Sequence, residues 1–489
     1  MNRSPASPGT LLPFERARAR IIEAFLRPTR TIELPVEKAI GRVLAAPVQA
    51  GFSIPGTDVA DVDGFCVRSL ETARATPERP ILVETPGRVD TGRPLPPGTD
   101  AVVPIEDCRE ESGRIAIEVP VRPGDGVRRA GSEIACGTTL LDIGHRLRPG
   151  DIGSLVAAGV TLVLARSVRV GVVPTGDELV VPGTRPGPGE SIASNPVAIR
   201  ALLAPQGAET IVHPVTCDDP AAVRGAIEAL LVEGCDLVVV CGGSGRGTRD
   251  VAFGVVRSLG RVVVDGVAAR PGRSFLVVRV GDVPVVSLPG RAQPVTLLTE
   301  YFLVPLLASW GLPAPGAQRV PVRLGLSIES HPGFTETIPL SVACVDGVVI
   351  GIRQPRGPRG ALSQLRANAR LLVPDGIESY GVGAMAEVEL LADPDTIDRT
   401  VLVVGAVAGL EVPDDVYRVA LVPCAPQEAH ALIETSACHV AVFEDARMVD
   451  CPSWRYRGPG ESARVLVVPT ALTDDPKVSR VLTALRVTR

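Results

Sequence analysis

Between residues 168 and 312 short, unbroken apolar runs alternate with segments of helical length. This alternation restricts the fold more than any other feature of the chain. VRVGVVP at 168–174 reads as a buried strand, 195–207 as a helix and 209–214 as a strand. A helix over 219–234, a strand over 236–241, a helix over 251–260 and a long helix over about 294–309 complete the series. Strands apolar on both sides, each followed by a helix, predict a parallel sheet covered on both faces. Ligands of such sheets bind beyond the carboxyl ends of the strands. Two of those ends carry Thr175-Gly176-Asp177-Glu178 and the glycine run 242–247.

The flanking segments differ. Residues 14–26, FERARARIIEAFL, space apolar residues for an amphipathic helix. Residues 46–139 are rich in proline and glycine, with short β-type runs at 80–84, 101–104 and 115–121. A helix and a strand follow over 147–166, and β-type alternation returns over 318–391 as a small barrel or sandwich. Strand–helix alternation resumes at 400–489. The expected architecture is multidomain, α/β and β. Residues 1–45 with 140–166 form a segmented N-terminal region, and 46–139 an inserted β-rich domain. Residues 167–315 form the central α/β domain, 316–392 a barrel-like domain and 393–489 an extra α/β tail.

Composition narrows the function. With 45% apolar and 21% charged residues, the chain is an ordinary globular protein. A net charge of −5 without a basic run argues against nucleic acid as the main partner. The ten cysteines include no CxxC spacing and the five histidines do not cluster with them, which gives no support to a zinc site or redox dithiol. The N-terminal stretch lacks the apolar core of a signal peptide, and no run of 18 apolar residues occurs. A cytoplasmic protein with no membrane segment is expected. Every basic residue except Lys38 and Lys477 is arginine, a bias typical of a GC-rich genome that carries chemical meaning only at particular sites.

Several motifs allow two readings. A glycine loop before a helix exposes N–H groups that can hold phosphate, and 242–247 is equally compatible with a tight turn. It does not match a Walker motif. Asp177 and Glu178 are hard oxygen donors suited to Mg²⁺; Asp250 fits either that role or a helix cap. Arg270 and Arg273, with Arg291 beyond the next strand, suit an anionic ligand or a solvated surface. Asp58, Asp61 and Asp63 form an acidic constellation or a polar turn.

The order and wording of the motifs point to a family. VEKAIGRVLAAPVQA, DVDGFCVR, TGRPLPPGTDAVV, VRRAGSEI, LRPGDIGSLVAAGV, VPTGDELVVPG, then SNP at 194–196, RPGR and LPG resemble the molybdopterin molybdenumtransferase family, which includes the bacterial enzyme and the gephyrin E domain. The resemblance runs from about residue 14 to 391. It implies a molybdopterin-binding central domain and a homodimer with its site between subunits. The implied reaction is Mg²⁺-dependent insertion of molybdate into adenylylated molybdopterin, with release of AMP. Other proteins of molybdenum cofactor synthesis are implied partners. By motif, Asp58, Glu178 and Asp250 are the implied catalytic residues, with Asp177, Glu178 and Asp250 as metal ligands. Thr91, Ser194, Asn195, Gly242, Gly243, Ser244, Arg270, Arg273 and Ser363 are the implied pterin and phosphate contacts, and Glu133 matches a further family acid. Residues 431–489 are similar to the end of a periplasmic-binding-protein-like domain, shortened here.

The departures are specific. The family's GGVSVGD reads Gly242-Gly243-Ser244-Gly245-Arg246-Gly247-Thr248, its DSN reads Ala193-Ser194-Asn195, and its PGNP reads Pro289-Gly290-Arg291-Ala292. A lost acid and an added arginine make the metal corner less negative. The alternative is therefore a catalytically impaired paralogue that binds molybdopterin or the cofactor without insertion.

Overall fold

A computed structural model describes residues 11–26, 28, 30–84, 87–111, 114–242, 251–314, 316–355, 360–408, 410, 418–444, 453–456 and 464–484. Contacts divide the chain into two units. Thr29–Ser167 with Gly311–Pro313 form one, and Met1–Pro28, Val168–Trp310 and Ala314–Arg489 form the other.

The smaller unit is mainly antiparallel β, as its turn-rich sequence predicts. Thr31–Pro35 pairs with Leu162–Arg166 beside the helix Pro149–Ala157, over a core that includes Leu44, Leu147, Leu155 and Val163. Two three-stranded sheets follow. One centres on Gly64–Val67 and the other on Arg114–Ile117, and they share a core of Val67, Val103, Ile115 and Ile117.

The larger unit opens with α1 (Phe14–Ala24). Its sheet contains β1 (Arg169–Pro174), β2 (Glu209–Val212), β3 (Leu237–Cys241), β4 (Arg261–Asp265), β5 (Leu276–Val280) and β6 (Val283–Leu288) in the order β2-β1-β3-β6-β5-β4. The first four in that order run parallel, whereas β5 and β4 are antiparallel additions. Sequence alternation reveals the parallel strands that precede helices but not this hairpin extension, because β5 follows β4 with no helix between them. Every residue of β3 is buried, as a central parallel strand requires. α2 (Asn195–Leu203), α3 (Pro220–Val232) and α4 (Val251–Leu259) flank the sheet. Val223, Ile227 and Leu230 of α3 and Val255 and Val256 of α4 pack with Val173, Val238, Val240 and Val278. Each fully buried aliphatic side chain contributes roughly 1.5–3 kcal/mol.

The long helix predicted for 294–309 is α5 (Ala292–Leu298), a π turn at Thr299–Leu303 and α6 (Val304–Ser309). Phe302 in the π turn packs edge-on to Phe14 of α1, with ring centroids 4.9 Å apart, and lies 4.8 Å from Phe275.

The β-type segment that follows is a closed barrel of five strands. β7 (Arg319–Leu324), β8 (Thr335–Val345), β9 (Val348–Arg353), β10 (Ala369–Val373) and β11 (Met385–Leu390) pair in the circuit β8-β9-β7-β11-β10-β8. Buried polar groups fasten it to the helix. Tyr301 donates to Glu389 at 2.6 Å, and Arg370 bonds Glu389 at 2.9 Å and pairs with Glu300. α7 (Gly360–Arg366) lies between β9 and β10.

Beyond it, β12 (Thr400–Gly405), β13 (Arg418–Pro423), α8 (Pro426–Glu434), β14 (Val440–Phe443), β15 (Ser453–Tyr456) and β16 (Arg464–Val467) build a second α/β layer, completed by α9 (Pro476–Ala484). Its strand order is β13-β12-β14-β16-β15, parallel through the first three. Among the described residues no helix is long and apolar enough to cross a membrane.

Candidate active site at the carboxyl ends of the parallel strands

β1, β3 and β6 end side by side, with Pro174 opposite Cys241 and Cys241 opposite Leu288. The chain leaves the sheet at three adjacent points. Thr175 N donates to Cys241 O at 2.9 Å, and Gly242 N to Leu288 O at 3.4 Å. Only glycine suits position 242. Its φ is +125°, and a Cβ there would lie 2.0 Å from the carbonyl oxygen of Thr175. Asn195, in the first turn of α2, donates from Nδ2 to the Gly290 carbonyl at 2.8 Å and so ties α2 to the turn after β6. Ser194 stands exposed at the N-cap without a side-chain capping bond. Asn195 Oδ1, Thr175 Oγ1 and Ser287 Oγ are buried with no hydrogen-bond partner among the described residues. Buried oxygens are rarely left so, and these three lie near the same strand ends.

The acids stand at the β1 end of this crest. Asp177 and Glu178 are both exposed, and Asp177 Oδ1 accepts from the backbone N–H of Asp218 at 3.0 Å. Partial burial, then the charges of Asp177 and Glu178, push the Asp218 carboxyl above the usual range, and its Oδ1 has no partner among the described residues. Asp218 was not anticipated; the available signal is an acid following strand 209–212 at the same end of the sheet. Among the described residues no group of three acids, histidines or cysteines is placed to hold a metal. Asp177 and Glu178 are exposed carboxylates of the type that Mg²⁺ takes as one or two protein ligands when substrate phosphates supply the rest.

Across the turn after β6, the α/β layer and the barrel enclose a cavity of about 510 Å³. Arg270, Arg273, Arg291, His331, Glu336 and Ser363 are among its lining residues. The arginines arrive by separate routes. Arg270 ends the short strand Ala269–Arg270, which pairs with the start of β8, and Arg291 caps α5. Glu336, only 4% exposed, makes an ion pair with Arg270 Nε at 3.3 Å and bonds His331 Nδ1 at 2.6 Å. The Arg270 guanidinium also lies over the Phe334 ring, 5.7 Å from its centroid. Arg270 is thereby held in place, while Arg273 and Arg291 are exposed. Ser363 is 4% exposed and donates to the Pro355 carbonyl at 2.8 Å. The structure thus brings Arg270, Arg273 and Ser363 to one cavity. His331 and Glu336 come from the barrel, and no local sequence signal connects them to RPGR.

Asp58 and Thr91 belong to the smaller unit. Asp58 accepts from Ala130 N at 2.8 Å and from Arg129 Nη1 at 3.1 Å. The Ala130 N–H foremost, with Arg129, holds its carboxyl below the usual range. Thr91 gives its N–H, at 2.6 Å, and its hydroxyl, at 2.9 Å, to Asp63, which is lowered for that reason. Asp61 faces Arg128 at 3.5 Å, and Glu133 is exposed. Gly243, Ser244 and Asp250 lie outside the described residues, as do Arg246 and Thr248.

Residues 12–159 match the family model described as the MoeA N-terminal region (domain I and II), and 171–309 match the probable molybdopterin binding domain. Over 399 residues the chain is 31% identical to molybdopterin molybdenumtransferase 2 of Mycobacterium tuberculosis, an alignment covering 76% of this chain and 97% of that protein. The chain belongs to the molybdopterin molybdenumtransferase family. A cyanobacterial molybdenumtransferase from Nostoc is 30% identical over 70% of this chain and 85% of its own length. The solved molybdopterin biosynthesis MoeA protein of Pyrococcus horikoshii superposes with a TM-score of 0.63 at 28% identity, covering 78% of this chain and all of that one. About a fifth of this molybdenumtransferase homologue therefore has no counterpart in that structure.

Proposed function

We propose that this chain inserts molybdate into adenylylated molybdopterin and releases AMP, acting in the cytoplasm as a homodimer alongside other proteins of molybdenum cofactor synthesis. The observation that carries this reading is the arginine-lined cavity beside the crest of the parallel sheet, in a chain of this family. Adenylylated molybdopterin and molybdate are both anions. Planar, permanently charged guanidinium groups bind phosphate and oxyanions through paired N–H donors, and Arg270 and Arg273 supply them here. The acids serve the opposite charge. Asp177 and Glu178 would hold Mg²⁺, with Asp250 as the third ligand expected from the motif. The ion would neutralise charge on the phosphoanhydride as it is cleaved. Asp58, ionised through its bonds to Ala130 and Arg129, is the further catalytic acid of this reading.

The assay combines purified protein with adenylylated molybdopterin, molybdate and Mg²⁺ and follows AMP. Molybdate-dependent AMP release is expected. Tight pterin binding without AMP would replace this reading with the impaired paralogue. Two observations favour that alternative. Ala193, 5% exposed, stands where the family carries an acid, and Arg291 adds a positive charge to the cavity where the family carries asparagine.

A further inference from the structure

Among the described residues, none beyond residue 393 lines the arginine cavity. This part of the chain is nonetheless bonded to one wall of that cavity on two sides. Pro355 and Ser363 belong to the wall, and the Ser363 hydroxyl closes on the Pro355 carbonyl. Immediately before Pro355 lies Gln354, 1% exposed, whose Nε2 donates to Ser341 Oγ at 2.8 Å and to the Leu421 carbonyl of β13 at 3.4 Å. On the other side, Arg366 ends α7. Its carbonyl accepts from Ser341 Oγ at 3.3 Å and from Arg418 Nη2, also of β13, at 2.7 Å.

The last carbonyls of a helix lack intrahelical partners, and an arginine donor satisfies one of them with a charge-assisted bond. The apolar contact behind this joint is continuous. Leu326, Ala343, Val345, Ile350 and Ile352 of the barrel segment share one buried cluster with Val401, Val403, Ala420 and Leu432 of the extension. Arg353 of β9 and Glu428 of α8 add an ion pair at 2.5 Å. The extension is therefore packed directly against the barrel segment that carries this wall.

We propose that the C-terminal extension is a positioning element for the oxyanion site. Arg418 and the Leu421 carbonyl fix the wall formed by Pro355 and Ser363 by holding Gln354 and the end of α7. This rests on the reading of the cavity as the anion-binding part of the active site. Arg418 is a positioning residue, since it acts through α7 and is not among the residues lining the cavity.

The test measures equilibrium dialysis of molybdate alone against the full chain, with melting temperature recorded for each variant. Arg418→Met keeps the aliphatic stem and removes the donor, and is expected to weaken molybdate binding about tenfold. Arg418→Lys restores one donor and should return binding to within about threefold of the wild type, a rescue that lost packing alone would not show. Gln354→Met cuts the second link and replaces Arg418→Met should the latter not fold. Arg273→Met, inside the cavity, is the control. If Arg273→Met weakens binding while Arg418→Met and Gln354→Met do not, the positioning inference is overturned and the cavity reading stands. If the wild type does not bind molybdate, or Arg273→Met binds as the wild type does, the cavity reading falls and takes the inference with it.

Discussion

The aspartates of the smaller unit and those at the crest of the parallel sheet are the same residue in opposite circumstances. Asp58 and Asp63 each receive a backbone N–H and a second donor, and both carboxyls are held below their usual range. Asp100 and Asp151 of the same unit are lowered in the same way, by Ser69 and by Arg148 with His145. At the crest, Asp218 is pushed upward by burial and by two acidic neighbours, and one of its oxygens is unpaired among the described residues. A carboxylate with filled acceptor sites is held in place and kept in its charged form. One crowded by like charges and short of donors gains by meeting a cation. Proximity in a motif does not separate these cases; the donor inventory does.

The sharpest challenge to the contrast is Asp58→Asn. The amide oxygen can still accept from Ala130 while the charge facing Arg129 is lost. AMP release is expected to fall at least ~100-fold, the scale of a lost acid–base or charge-stabilising group, with pterin binding retained. Unchanged AMP release would leave Asp58 a purely structural acid and remove it from the catalytic set.

Acidification gives an intermediate effect. The lowered carboxyls of the smaller unit contribute stability above the ordinary carboxylate pKa, and that contribution is lost as pH falls through the depressed values. Asp218, raised, has the reverse dependence. Between about pH 4 and pH 2, limited pepsin digestion should therefore open 29–167 before the α/β sheet. Earlier cutting within 168–310 would refute the assignment.

The smallest effect expected is that of Asp218→Asn. Relief of like-charge crowding should raise the melting temperature by about 1–2 °C at neutral pH, with no gain below about pH 3.5, where the wild-type group is protonated. A lower melting temperature at neutral pH would show that the carboxylate has a favourable partner.

The parallel strands and their carboxyl-end turns were legible because burial on both faces writes an unbroken apolar run, as in VGVVP and LVVVC. The antiparallel β5 was not, since it follows β4 without the intervening helix that marks a crossover. Arg270, Arg273 and Ser363 were legible as family motifs. Glu336, which holds Arg270, comes from the barrel some 60 residues later, and such pairings leave no periodic trace. Asp218 follows strand 209–212 in a plain polar stretch, TCDDP, and only the turn that brings it to Asp177 reveals its role.

The barrel closes on itself through the β8–β10 pairing. The short strand Ala269–Arg270 adds only at the start of β8, and closure leaves the appended layer no free edge to extend. The appended layer accordingly joins through side chains of the barrel segment, Ala343 and Ile352 among them. Losing the extension would therefore uncover buried barrel side chains such as Val345 and Ile352 without opening the barrel itself.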